Sequence, residues 1–196
     1  MTSERAHGVI GDRMWRRALS HRLTLVVAGP GWGKSTLLRG LAATGPSIEL
    51  TRPSSGWTPF SLARGLVDGI LEHASDPTAE EFPTHAAPDS PDNPEQVSAL
   101  AAGVCATAAR ALRTRTLVLL DDADVAPDDP LERFLEALVL HLPPRLHVVL
   151  ACRRPPNLRI GRVRAAGDVA QISAEDLAIT TEQIRGLELD DAGMAT

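Results

Sequence analysis

The sequence predicts an α/β fold, a five-stranded parallel sheet flanked by helices on both faces. Five short runs rich in Val, Leu and Ile alternate with segments whose apolar residues recur at a helical period. Three of those runs lack polar alternation, as strands covered on both faces do. A glycine-rich loop ending in Gly-Lys-Ser joins the first run to the helix behind it. Strands that alternate with helices need crossovers, and crossovers make the sheet parallel.

Residues 23–28 (LTLVVA) are the first strand, and residues 35–43 the helix after the loop. The second strand is residues 47–50 (SIEL). Thr58-Pro59 starts the next helix, whose apolar face is Phe60, Ala63, Leu66, Val67, Ile70 and Leu71. Residues 74–93 carry Pro77, Pro83, Pro88 and Pro91 without periodicity, which predicts a long surface loop or insertion and no chemistry. Asn93-Pro94-Glu95-Gln96 and Asp129-Pro130-Leu131-Glu132 each supply a cap, a proline at the first helical position and a Glu or Gln three residues after the cap. The helices they start present Val97, Leu100, Ala101, Val104, Ala108 and Leu112, and then Leu131, Phe134, Leu135, Leu138 and Leu142. Pro143-Pro144 stops the second of these. Residues 116–120 (TLVLL), 146–151 (LHVVLA) and 169–172 (VAQI) complete the strands, and Thr180-Thr181-Glu182-Gln183 marks a last helix. The core is expected over residues 1–186, with residues 187–196 a truncated continuation or tail.

Of the chain's 196 residues 43% are apolar and 23% charged, with a net charge of −5, which excludes a disordered chain. The negative balance gives no support for bulk attraction to nucleic acid. Two cysteines, Cys105 and Cys152, make no disulfide framework, and both are expected to be reduced and structural. The N-terminal stretch is polar and basic without an apolar core, and no apolar run is long enough to span a bilayer, so a cytoplasmic location without membrane contact is expected. His7, His21, His73, His85, His141 and His147 have no ligand-like spacing, so no structural metal is expected.

The chemistry concentrates in Ala28-Gly29-Pro30-Gly31-Trp32-Gly33-Lys34-Ser35, which fits the phosphate-binding loop pattern, with Thr36 next. Gly29, Gly31 and Gly33 are expected to take unusual dihedrals and turn their N–H groups inward as an anion nest at a helix N-terminus. Lys34 would reach the β- and γ-phosphates of a nucleotide, the Ser35 hydroxyl would ligate Mg²⁺, and Thr36 would support an adjacent phosphate. Trp32 packs either on the base or sugar, or over the adjacent helix. The third strand runs into Asp121-Asp122, where ligands of open α/β sheets bind. Asp121 is the expected Mg²⁺ residue and Asp122 the candidate base that orients an attacking water. The two point to opposite faces, so only one can bind the ion; the plainer role for them and for Asp124 is to cap the turn. Past the fourth strand, Arg153 is the candidate γ-phosphate sensor within a group that includes Arg154, Arg159, Arg162 and Arg164; Arg162 is a weaker candidate, and a solvated loop is the plainer alternative.

Strand–AGPGWGKST–helix, then LVLLDDAD, LPPRLHVVLACRRPPNLRIGRVRA and VAQISAEDLAITTEQI resemble, in this order, the STAND-class signalling ATPases. Among these they resemble the ATPase core of the large ATP-binding transcriptional regulators of the LuxR type (maltose-regulon-activator-like), over residues 10–186. The resemblance implies an ASCE-class, AAA-like P-loop NTPase core with an additional strand between the phosphate-loop strand and the Walker B strand. It implies ATP or ADP with Mg²⁺ as cofactors, ATP binding that stabilises an active and often self-associated state, and slow hydrolysis that resets it. By position it makes Lys34, Ser35 and Thr36 the phosphate and Mg²⁺ residues, Asp121-Asp122 the Walker B pair and Arg153 the sensor-like arginine. The chain departs from the family pattern at Ile48-Glu49-Leu50-Thr51-Arg52, where Trp-Leu-Asp is usual, and at Asp124, where His is frequent. Contact with DNA is expected only through domains absent from this chain.

Three functions follow as expectations: the ATP-binding core of a regulatory switch, a small-molecule kinase with the arginines as a lid, or an assembly module with a vestigial nucleotide site. The switch suits the paired acids best. Guanine specificity is disfavoured because its N-K-x-D motif needs a lysine, and the one lysine, Lys34, is already in the loop.

Overall fold

A computed structural model describes residues 20–74, 93–126 and 129–178. The strands are β1 (Leu23–Val27), β2 (Ser47–Thr51), β3 (Thr116–Asp121), β4 (Leu146–Cys152) and β5 (Val169–Ser173). They form one sheet in the order β2-β3-β4-β1-β5, every pair parallel. The helices are α1 (Lys34–Ala42), α2 (Pro59–Glu72), α3 (Pro94–Ala111) and α4 (Pro130–His141), with short turns of helix α5 (Gly161–Ala165) and α6 (Ala174–Leu177). The five-stranded α/β expectation holds, and β4 is the strand interposed between β1 and β3.

The unalternating strands are explained by their two coats. Leu23, Leu25, Val118, Leu120, Val148 and Leu150 face the larger core, where they pack under α2, α3 and α4. Val26, Leu117, Leu119, Val149 and Ala151 face the other way, against Leu37, Leu38 and Leu41 of α1. Successive side chains point to opposite faces. A strand covered twice therefore has no position to give to water.

The helix starts follow the caps. Thr58 and Ser61 close a reciprocal capping box, Ser61 N–H donating to Thr58 Oγ1 at 3.1 Å and Thr58 N–H to Ser61 Oγ at 2.9 Å. Asn93 Oδ1 accepts from Glu95 N–H at 3.0 Å, and Asp129 Oδ1 from Leu131 N–H at 2.9 Å. Each frees a backbone donor from burial without a partner. Two expectations shift. The face of α2 rotates, so Leu62 is buried and Phe60 only half-buried, because Pro59 is itself packed inward at the first turn. Glu132 does not close a box with Asp129, whose N–H donates to Ala126 O at 3.3 Å instead. Most of the 74–93 segment and the helix expected at residues 180–183 lie outside the described residues.

Two features of the packing have measurable consequences. A Cβ at Gly69 would overlap the side chain of Ile48, so this glycine sets how closely α2 lies on β2. Overpacking costs about 1–3 kcal/mol, against a helix-propensity gain of about 1 kcal/mol for alanine. Gly69→Ala should therefore lower denaturant-measured stability by up to about 2 kcal/mol, while Gly161→Ala, with open space around it, should change it by less than about 0.5 kcal/mol.

Both thiols are buried, Cys105 Sγ donating to Leu138 O at 3.5 Å and Cys152 Sγ to Val26 O at 3.8 Å. Burial pushes each up to about 12 from 9.0; Asp124 adds to the rise at Cys152, while Arg22 opposes it at Cys105 and Lys34 at Cys152. An acid raised by folding stabilises the fold fully below its unfolded value and loses that contribution as pH climbs to the folded one. Stability should therefore fall between pH 9 and about 12. The chain has no tyrosine, so the decline should shrink in Cys105→Ala and Cys152→Ala when urea titrations are repeated across that range.

Candidate functional site

The site forms where β1, β3 and β4 end on the same edge of the sheet. β1 runs into the loop 28–33, and α1 leaves it with Gly33 as the residue before its first turn. Gly31 and Gly33 lie in the left-handed region, with φ of 79° and 80°. A side chain at either would strain the loop. The expectation of unusual dihedrals holds for these two and not for Gly29, which is outside that region and instead lies against the Trp32 ring. Trp32 is 46% exposed.

Lys34 Nζ donates to Ala28 O at 2.8 Å and Gly29 O at 2.7 Å, so its ammonium is lodged across the mouth of the loop. Two of its three hydrogens tie the loop together and one is left to meet an anion. Ser35 Oγ donates to Asp121 Oδ2 at 2.7 Å across 86 residues of sequence. Asp121 Oδ1 accepts the N–H of Asp122 at 2.9 Å, which fixes the carboxylate. A hydroxyl and a carboxylate oxygen meeting at the loop are the hard donors that Mg²⁺ takes, with water and phosphate oxygens completing its octahedron. The residues present therefore fit Mg²⁺. Among the described residues no group of three or more His, Cys, Asp or Glu gathers at one point as a protein-only metal site would.

Asp122 parts from Asp121, as adjacent residues at a strand end should. Its φ of 53° makes it the one non-glycine residue in the left-handed region among those described. The bend turns it toward β4, where Arg153 lies 3.5 Å from Asp122 Oδ1 and 3.8 Å from Asp124 Oδ2. Sequence reasoning gave Asp124 only the capping of its own turn. It holds the end of β4, its Oδ1 accepting from the N–H of Arg153 at 2.8 Å and of Arg154 at 3.2 Å. Arg52, past the end of β2, donates to Asp124 O at 2.9 Å. Asp124 was legible only as an acid in an apolar-to-loop transition; its partners lie 29 and 30 residues on. Arg159, Arg162 and Arg164 stand apart: Arg159 N–H binds Glu136 at 2.7 Å, and α5 buries none of its residues. Thr36 is half-buried, one residue into the helix from Ser35.

A phosphate loop on an all-parallel sheet, with a serine–aspartate contact across an interposed strand, defines a P-loop ATPase. The model of the AAA ATPase domain matches residues 12–151, and the chain belongs to that family. Among solved structures, it is similar to the Walker-type ATPase paby2304 of Pyrococcus abyssi, at 16% identity and a TM-score of 0.43, over 72% of this chain and 44% of that one. It is also similar to a chain in the structure of Drosophila ORC bound to AT-rich DNA and Cdc6, at 11% identity and a TM-score of 0.52, over 99% of this chain and 64% of that one. The second likeness shows the fold, and the chain spans less than two thirds of each neighbour's length. No curated protein matches. No helix among the described residues is long and apolar enough to cross a membrane.

The role of Asp124 can be measured without nucleotide. Asp124→Ala removes the acceptor of two backbone donors and should cost about 1–3 kcal/mol in denaturant titrations. Asp124→Asn keeps an acceptor oxygen and should recover at least about half of that loss.

Proposed function

We propose that this domain is a nucleotide switch: it binds Mg-ATP, hydrolyses it slowly, and serves a signalling or transcriptional regulator of the LuxR type. The observation that carries the reading is the Ser35–Asp121 contact at 2.7 Å beside the lodged ammonium of Lys34. In this reading the N–H groups of residues 29 and 31–34 cradle the phosphates, Lys34 takes the β- and γ-oxygens, and Thr36 supports the neighbouring phosphate. Ser35 and Asp121 would hold Mg²⁺, which would supply neutralisation of the phosphate charge. Asp122 orients the attacking water and accepts its proton. Trp32, exposed beside the loop, lies within reach of the nucleotide.

Arg153 is the sensor in this scheme, and its present partners suit that role. Its pairs with Asp122 and Asp124 are half-exposed at 3.5 and 3.8 Å. Such pairs are worth about 0–1 kcal/mol, whereas a charge-assisted bond to phosphate is about twice as strong as a neutral one. A γ-phosphate therefore competes well for this guanidinium. When Arg153 leaves, it uncovers Asp122, so sensing and base release become one event. Self-association in the ATP state, reset by hydrolysis, completes the switch.

The test is Mg-ATP titration followed by tryptophan fluorescence, with Trp32→Phe to assign the signal. Lys34→Ala removes charge-assisted contacts and should weaken binding by at least about tenfold to a hundredfold. Equal affinity in the wild type and Lys34→Ala would overturn the reading. Asp122→Asn should leave Mg-ATP affinity near the wild-type value and lower single-turnover hydrolysis by about a hundredfold or more.

A further inference from the structure

Next to the phosphate loop, and lined by none of its residues, lies a cavity of about 600 Å³ at the carboxyl ends of β3 and β4. Arg52, Asp124, Val125, Glu132, Arg154 and Asn157 contribute to its wall. Its size is that of a small-molecule pocket, and seven of its ten lining residues are charged or polar, with Val125, Ala126 and Pro155 as the apolar ones. Asp122 and Arg153 border it as well, which puts it in contact with the nucleotide machinery.

Glu132 is the informative residue. It is only 9% exposed, at the first turn of α4. Its backbone N–H is satisfied by Asp129 O at 2.9 Å, yet its carboxyl group has neither a hydrogen bond nor an ion pair among the described residues. The helix start does not use it, since Asp129 caps Leu131 with its own side chain. The Glu132 oxygens are not sealed from water, since Arg22 Nε is the one fully buried side-chain polar atom without a partner among the described residues; the exposure that Glu132 keeps includes its carboxylate. The other carboxylates at this wall are already engaged, Asp124 by two backbone donors and Asp122 by Arg153. Glu132 is therefore the acceptor left for a ligand's cationic donor. Donors of the opposite sign are also left over. The Arg154 guanidinium has no partner among the described residues, and Arg52 uses one nitrogen on Asp124 O and keeps the rest of its fork.

We propose that this cavity is a second binding site, for a small zwitterion whose ammonium end meets Glu132 and whose carboxylate end meets Arg154 and Arg52. A ligand with only one charge would satisfy one wall and leave the other unpaired. A free amino acid or an ω-amino acid has both ends, and its methylene chain lies along Val125.

The test uses the full 196-residue chain and the series glycine, β-alanine, 4-aminobutanoate and 6-aminohexanoate, with butylammonium and butanoate as single-ended controls, read by calorimetry and thermal shift. The expected result is that at least one length binds about tenfold or more tighter than either control. Glu132→Gln, which keeps shape and removes charge, and Arg154→Gln on the exposed side should each weaken that binding by about tenfold or more. Neither residue belongs to the phosphate site, so Mg-ATP affinity should stay within about twofold in both variants. The proposal is overturned if no member of the series binds the folded wild type at about 10 mM, if Glu132→Gln binds as well as wild type, or if butylammonium binds as tightly as the best amino acid. Amino-acid binding that persists while Mg-ATP fails to bind would leave this site standing and remove the nucleotide reading.

Discussion

The placement of β4 between β1 and β3 governs everything at the carboxyl edge of the sheet. Neighbouring strands lie about 4.8 Å apart. The interposed strand therefore opens a gap of roughly two strand spacings between the phosphate loop on β1 and the acids on β3. That gap is wide enough to admit phosphate and a hydrated ion, and narrow enough for Ser35 to reach Asp121 at 2.7 Å. The parallel registers Val27↔Cys152 and Leu120↔Leu150 hold the three ends level, and this is why residues far apart in sequence share one edge.

β4 also supplies the parts that lie over this gap. Its last residue, Cys152, accepts the N–H of Ala28 at the start of the loop through its carbonyl. The next two residues hang on Asp124, and Ala123 N–H donates to Ala151 O at 2.7 Å. The segment after β3 and the segment after β4 are thus stitched to each other by several short bonds. A displacement of Arg153 is felt at Asp122 through a carboxylate that both segments share. The order of the strands turns two separate loops into one mechanical unit.

How much of this was visible in the sequence depended on the range of the interaction. Continuous apolar runs such as LVLL and HVVL named the doubly covered strands, because their signal is carried within the run. Thr58, Asn93 and Asp129 named the helix starts for the same reason: a cap acts over three residues. The turns of the glycine-rich loop at Gly31 and Gly33, equally local, were legible as well. Glu132 was misread for a physical reason, since its spacing from Asp129 fits a capping box whose donor had already been taken by Ala126. Phe60 was placed on a face that the proline before it turned aside. Asp124 and Arg52 carry their meaning in contacts 29 to 72 residues away, and a single sequence has no local sign of those.

The bend at Asp122 has a consequence for what that position can be. At φ 53° the backbone favours glycine, asparagine and aspartate, whose short polar chains tolerate the left-handed turn. Lengthening the acid by one methylene would change its reach and also work against the turn that aims it. Chain direction and the proton chemistry of the proposed switch are thereby both asked of one residue type. Of the three residues the turn favours, two carry a polar side chain of the same shape, one that can take a proton and one that cannot. In the switch proposed above, a single amide here silences hydrolysis while the turn around it is kept.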